Sequence, residues 1–236
     1  MLTWCQEIAA LQYVGNTHPN VMGQICCIAD QSHIYSVMRF CNGGELYDYV
    51  DSHGQIPEPQ ARHLFRQVLD GLEHLQSLGV CHRDMSLENL MVTRDMACVI
   101  IDMGMSLRLP RHSDTDEVYL IPRQGPCGKR NYVSPEVLAN EDPFNGLLVD
   151  MWAAGVILFI LLTGVPPVDT ASPLDSRFRM IRSGGLRNML LQWNIVISEE
   201  GMDLLQRMLA AEPTERLTIT EIREHAWMLI VDEEGA

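Results

Sequence analysis

The sequence predicts an α+β fold, a mostly helical body preceded by a smaller portion made of one helix and a β-hairpin. Three observations carry this prediction. Residues 21–28 and 33–40 are β-branched and apolar on either side of Asp30-Gln31-Ser32, the pattern of two strands joined by a short loop. Within residues 61–75, Ala61, Leu64, Phe65, Val68, Leu69, Leu72 and Leu75 recur at i, i+3, i+4 and i+7 and make one stripe for burial. Residues 147–163 are apolar nearly all round, as expected of a helix that runs through the middle of a domain.

The other elements follow in order. Residues 6–14 place Ile8, Leu11 and Val14 on one helical face. After the hairpin, Asn42 and Glu45 have capping-box spacing for a following helix. The 61–75 stripe runs out at Gly79, where a left-handed residue closes a helix. Residues 90–92 and 98–101 are short apolar segments around a turn and predict a second, small hairpin. Helices are predicted at 198–209, capped by Ser198, and at 220–228. No repeat, low-complexity tract or long linker separates independent domains. The chain therefore divides into 1–41, 42–230 and a solvated acidic tail at 231–236.

Charge narrows the function. The 236 residues carry 31 Asp+Glu against 17 Lys+Arg, a formal charge of −14, and 47% are hydrophobic. An acidic chain with no basic stripe lacks the clustered cations that neutralise phosphates, so no nucleic-acid partner is expected, and basic substrates fit its field better. The longest apolar run, 153–162, is short of the roughly 20 residues a membrane span needs, and Glu7 sits where a leader peptide would be apolar. No membrane partner is expected, and the chain reads as cytoplasmic, with the nucleus as the second compartment its composition allows. Seven cysteines, an odd number with no C-x-x-C pair, read as reduced buried thiols. None of the eight histidines has helical metal-ligand spacing with another ligand. All the basic side chains but one are arginine, and the single lysine is Lys129.

The chemistry is concentrated between residues 82 and 155. His82-Arg83-Asp84 is followed by Asn89, then by Asp102-Met103-Gly104, Ser134-Pro135-Glu136 and Asp150-Met151-Trp152-Ala153-Ala154-Gly155. Phosphoryl transfer is mostly positioning and charge neutralisation, so a site for it needs one carboxylate to orient a hydroxyl and hard oxygen ligands for Mg²⁺. Asp84 can be the first, while Asn89 and Asp102, on the two sides of the small hairpin, can supply the second. The ordered set resembles the catalytic core of eukaryotic protein kinases, and the likeness continues to Glu212-Pro213-Thr214-Glu215-Arg216 and His225-Ala226-Trp227.

The resemblance implies a kinase-like fold, with 42–230 as the larger lobe and 1–41 as what is present of the smaller one. It implies ATP and Mg²⁺ as cofactors and transfer of the γ-phosphoryl group to Ser or Thr of protein substrates. By the same resemblance Met38 is the gatekeeper, Arg39, Phe40 and Cys41 form the hinge at adenine, and Met91 lies under the ring. The spacing of Asn42-Gly43-Gly44-Glu45, with Glu88, is similar to calcium/calmodulin-dependent kinases and implies a preference for basic residues upstream of the phosphoacceptor, with Glu45 also at the ribose. Glu136 and Arg216 would form a buried pair, and Asp150 would hold the catalytic-loop backbone. Glu7 aligns with the regulatory-helix glutamate of the family, the other reading being a solvated surface charge.

Departures from the family pattern are equally specific. No GxGxxG segment occurs and no lysine precedes position 129. The chain is therefore expected to begin after the family's first three strands, either as a piece of a longer kinase or as a pseudokinase that binds or scaffolds without catalysis. The segment from Asp102 to Glu136 is long. Ser113, Thr115 and Tyr119 are available phosphoacceptors within it for Arg83, and Asp114, Asp116 and Glu117 could substitute for a phosphate. Two positions that meet around the catalytic aspartate are exchanged: the family's lysine two residues after it is Ser86, and the family's threonine after the following glycine is Lys129. Ser86 and Lys129 thus join Asp84 and Asn89 as candidate catalytic residues.

Overall fold

A computed structural model describes residues 2–115 and 117–231. The chain opens with α1 (Leu2–Val14), which buries Leu11 and Val14 and packs on the turn at Met103–Met105. Strands β1 (Gln24–Ala29) and β2 (Ile34–Met38) pair antiparallel with Ala29 opposite Ile34. Asp30 builds the loop between them: its Oδ1 accepts from the backbone N–H groups of Ser32 and His33, both at 2.7 Å. Those bonds, Ser32's first, together with one from the Tyr35 hydroxyl, hold the Asp30 carboxyl down to about 2.

The ribbon is open on both faces, with Ile25, Ile28, Ile34 and Tyr35 exposed. This corrects the expectation of buried thiols. Cys26 and Cys27 lie on the ribbon and are exposed, because two strands with no second layer packed on them have no inside. Cys41, Cys81 and Cys98 are buried as expected, and Cys127 is half-buried.

Next come β3 (Gly44–Glu45), α2 (Leu46–His53), α3 (Glu58–Ser77), β4 (Val80–Cys81), β5 (Leu90–Val92), β6 (Cys98–Ile100) and β7 (Leu107–Arg108). β3, β5 and β6 form one antiparallel sheet, and β4 pairs with β7. The Asn42–Glu45 capping box does not form. Residues 44–45 are drawn into the sheet opposite Val92 and Met91, Asn42 Oδ1 instead accepts from the Arg94 N–H at 3.0 Å, and Glu45 makes no side-chain cap. The α3 stripe is buried throughout, and Gly79 takes φ +69° just past its end.

The remaining helices are α4 (Pro135–Ala139), α5 (Gly146–Thr163), α6 (Ser176–Arg182), α7 (Leu186–Gln192), α8 (Glu199–Met208), α9 (Ile219–Glu224) and α10 (Ala226–Leu229). Helix α5 is buried almost from end to end and is the centre of the core, with Trp152 and Phe159 fully enclosed. Ser198 caps α8 by accepting from the Gly201 N–H at 3.1 Å. The helix predicted at 220–228 is broken at His225, whose backbone is extended while Nδ1 accepts from the Trp227 N–H and so starts a new turn. One carboxylate ties these late helices to α3: Glu58 accepts from Ser198 N–H, Ser198 Oγ and Trp227 Nε1, each at 2.6 Å.

The long segment after Asp102 is anchored by pairing: β7 on β4, a bridge between Arg111 and Val118, and another between Ile121 and Phe144. Asp116 and the tail 232–236 lie outside the described residues.

Candidate active site

The site is built outward from Asp150, the one carboxylate inside the apolar helix α5. Its Oδ2 accepts from the His82 N–H at 2.6 Å and its Oδ1 from the Arg83 N–H at 2.8 Å. Burial pushes the Asp150 carboxyl up, while His82, Arg83 and these two bonds act against that. The two amides are thereby fixed on the core helix, and Arg83 holds a left-handed backbone at φ +67°, costly for a side-chain-bearing residue unless its surroundings dictate it. His82 is fully buried and extends the anchorage. Its Nδ1 accepts from the Asp84 N–H at 3.3 Å, so Nε2 carries the proton and donates to Ile101 O at 2.9 Å.

That bond ties the loop at residues 82–84 to the residue before Asp102. A second tie, from the Ile101 N–H to Asn89 O at 3.0 Å, holds Asn89 and Asp102 at neighbouring ends of β5 and β6. Asn89 Nδ2 donates to Asp84 O at 2.7 Å and to Asp84 Oδ2 at 3.0 Å. Its Oδ1 is then the atom it can offer a cation. Asp102, at φ +63°, accepts from the Gly104 N–H through Oδ1 at 3.0 Å. Asp84 Oδ1 is buried and has no hydrogen-bond partner among the described residues. An acceptor left so is costly unless a donor arrives with a ligand.

The donor set suits a hard cation. Asn89 and Asp102 offer oxygen ligands, and no cluster of three or more His, Cys, Asp or Glu exists among the described residues to enclose a metal. A pair of protein oxygens completed by phosphate oxygens and water is the usual arrangement for Mg²⁺.

The residues assigned to the nucleotide are brought together only in part. Cys41 is buried against Met22 and Val99, with Met91 and Ile101 packed beside them, and Glu45 pairs with Met91 across the sheet. These apolar side chains form a floor next to Asn89 and Asp102. Met22 and Val99 were not singled out from the sequence, although each falls in a predicted strand. Met38 is partly exposed at the end of the ribbon, and Phe40 is 88% exposed, so its ring does not join the floor. Arg39 turns its guanidinium away, donating to the Pro19 and Val21 carbonyls. Glu7 is half-buried on α1, and burial first, then the charge of Asp102, raises its carboxyl.

On the other side of Asp84, Lys129 Nζ donates to Ser86 Oγ at 2.7 Å and lies 3.7 Å from Glu88 Oε2. Ser86 is fully buried. Gly128 makes the approach possible: it sits at φ +94°, and a Cβ there would come within 2.9 Å of Arg83 O. Below, Arg216 grips Glu136 with two bonds, Nη1 to Oε1 at 3.1 Å and Nη2 to Oε2 at 3.2 Å. Arg83 itself donates through Nε to Met105 O at 2.7 Å. A groove of about 480 Å³ lies between Arg187, Asp203 and His225 and shares no residue with this site; in it Arg187 pairs with Glu199 and His225 with Asp203.

Comparison with known proteins identifies the family. The protein kinase domain family profile matches residues 2–228. The chain is 36% identical over 222 residues to CBL-interacting protein kinase 1 of Oryza sativa subsp. japonica, covering 94% of this chain and 45% of that protein. It is 37% identical over 222 residues to CBL-interacting serine/threonine-protein kinase 17 of Arabidopsis thaliana, covering 94% and 48%. It is 36% identical over 224 residues to SNF1-related protein kinase catalytic subunit alpha KIN12 of Arabidopsis thaliana, covering 94% and 41%. The chain spans less than half the length of these relatives. With the family match running from α1 to α10, the chain belongs to the protein kinase domain family.

Proposed function

We propose that this chain is the catalytic portion of a serine/threonine protein kinase that moves the γ-phosphoryl group of ATP onto a protein hydroxyl. The observation that carries the reading is the buried, unpartnered Oδ1 of Asp84, beside an Oδ2 already held by Asn89. A substrate hydroxyl can donate to that atom, which aims its lone pair for attack and takes its proton as the new bond forms. Asn89 and Asp102 are the residues that would hold Mg²⁺, which neutralises phosphate charge when bound. The floor of Met22, Cys41, Met91 and Val99 would meet the base. A scaffold that only binds would have no use for an aspartate oxygen kept buried without a donor.

For the acceptor peptide we favour Ser or Thr preceded by basic residues, supported by the formal charge of −14 and by Glu45. Glu88 contributes less than its sequence position implies, since the Lys129 ammonium stands 3.7 Å from it. A reducing compartment such as the cytoplasm suits the six cysteines that are free among the described residues. The test is transfer of labelled phosphate from Mg·ATP to a peptide library, with Asp84→Asn alongside. Asp84→Asn should lower kcat by at least about 10²-fold. An unchanged rate would remove Asp84 from the chemistry, and selection of acidic peptides would refute the basic preference.

A further inference from the structure

We infer that Lys129, working through its bond to Ser86, is the residue that contacts the transferring phosphoryl group, so that an ammonium and a hydroxyl have exchanged backbones around Asp84. The inference rests on the phosphoryl-transfer reading above and deepens it. Four observations converge. Lys129 is the only lysine in a chain that uses arginine at every other basic position. Its Nζ is 2.7 Å from Ser86 Oγ across 43 residues of sequence, and that hydroxyl is fully buried two residues after Asp84. A Cβ at Gly128 would stand 3.5 Å from the unpartnered Asp84 Oδ1, so the backbone that carries Lys129 is applied directly to the reacting carboxylate. The Lys129 side chain nevertheless keeps 35% of its surface open, so it is not sealed inside the core.

An ammonium has three N–H donors. Ser86 takes one, and Glu88, at 3.7 Å, is an ionic neighbour beyond hydrogen-bond reach, so donors remain for a phosphoryl oxygen. In the transfer, the substrate hydroxyl oxygen forms a bond to the γ-phosphorus and its proton passes to Asp84. The bond from that phosphorus to the β,γ-bridging oxygen breaks, and its electron pair leaves with ADP. The negative charge on the equatorial oxygens is what Lys129 would stabilise, and a compact point charge suits a crowded site better than a guanidinium fork. Ser86 is the positioning residue, since it holds Nζ without touching the reacting atoms.

A lysine that is single in its chain reports on itself. Protein grown with lysine labelled with ¹³C at Cε gives one lysine side-chain resonance, observed in the unmodified chain with Mg²⁺ and either ADP or a non-hydrolysable ATP analogue, with binding of each followed by calorimetry in the same samples. The resonance should shift on binding the analogue and shift less with ADP, which lacks the γ-phosphoryl. Binding of the analogue with no shift overturns the inference while leaving the kinase reading in place; binding of neither nucleotide overturns both. Kinetically, Lys129→Met should lower kcat about 10²-fold while the analogue still binds, and Lys129→Thr combined with Ser86→Lys should recover most of that loss. A Lys129→Met enzyme as active as the parent also ends the inference.

Discussion

Replacing Arg216 by alanine should unfold the helical body at a much lower temperature. Arg216 is 3% exposed, and its guanidinium meets both oxygens of Glu136, the carbonyls of Ala210 and Leu148, and the face of Trp152 at 5.3 Å. Truncation removes all of these at once and leaves the Glu136 carboxylate, itself only 13% exposed, without its cation. Breaking a buried pair from one side costs about 3–5 kcal/mol, because the surviving charge is desolvated and unpaired. For a chain of this size each kcal/mol moves Tm by roughly 2–4 °C, so a fall of about 6–20 °C is expected. Scanning calorimetry on the parent, Arg216→Ala, Glu136→Gln and an Arg216→Met/Glu136→Gln double variant measures it. The double variant should lose less than the two single changes together, since neither partner is left charged and alone. A Tm change under about 2 °C for Arg216→Ala would refute the reasoning.

Two further outcomes are expected. Burial alone would raise the Glu58 carboxyl, but the bonds from Ser198 and Trp227 outweigh it and hold it low. Its stabilising share is therefore present above the ordinary glutamate value of about 4.3 and lost as pH falls through the depressed one. The Tm gap between the parent and Glu58→Gln should be widest near neutral pH and shrink as the solution is acidified below the ordinary glutamate value; a pH-independent gap contradicts the assignment. Thiol labelling of the native protein should modify Cys26 and Cys27 quickly. Cys81 and Cys98, both pushed up to about 12 chiefly by burial, should react only on unfolding, and fast native labelling of either would show that the core packing described here is wrong.

Much of this protein was legible before its structure because the signals are local. A stripe such as Ala61 to Leu75 encodes its own burial through the 3.6-residue repeat, Ser198 and Gly79 mark helix ends through backbone chemistry, and Asp30 sets its own turn. The identity and order of Asp84, Asn89 and Asp102 likewise stand in the sequence, and they are the side chains that the proposed chemistry demands. What the sequence could not decide depends on pairing between distant residues. Asn42 and Glu45 had a local capping pattern, yet a strand partner nearly fifty residues on from residues 44–45 overrode it. His225 broke a well-formed helical period because its ring found Asp203 and the Trp227 amide. Cys26 and Cys27 have the composition of a buried strand but are exposed, since burial requires a second layer that a strand cannot specify by itself. The same holds for the site. That Asp150 reaches the amides of His82 and Arg83, that Glu58 staples three helices, and that Lys129 meets Ser86 are facts of approach in space, set by how α3 and α5 pack and by the room that Gly128 leaves.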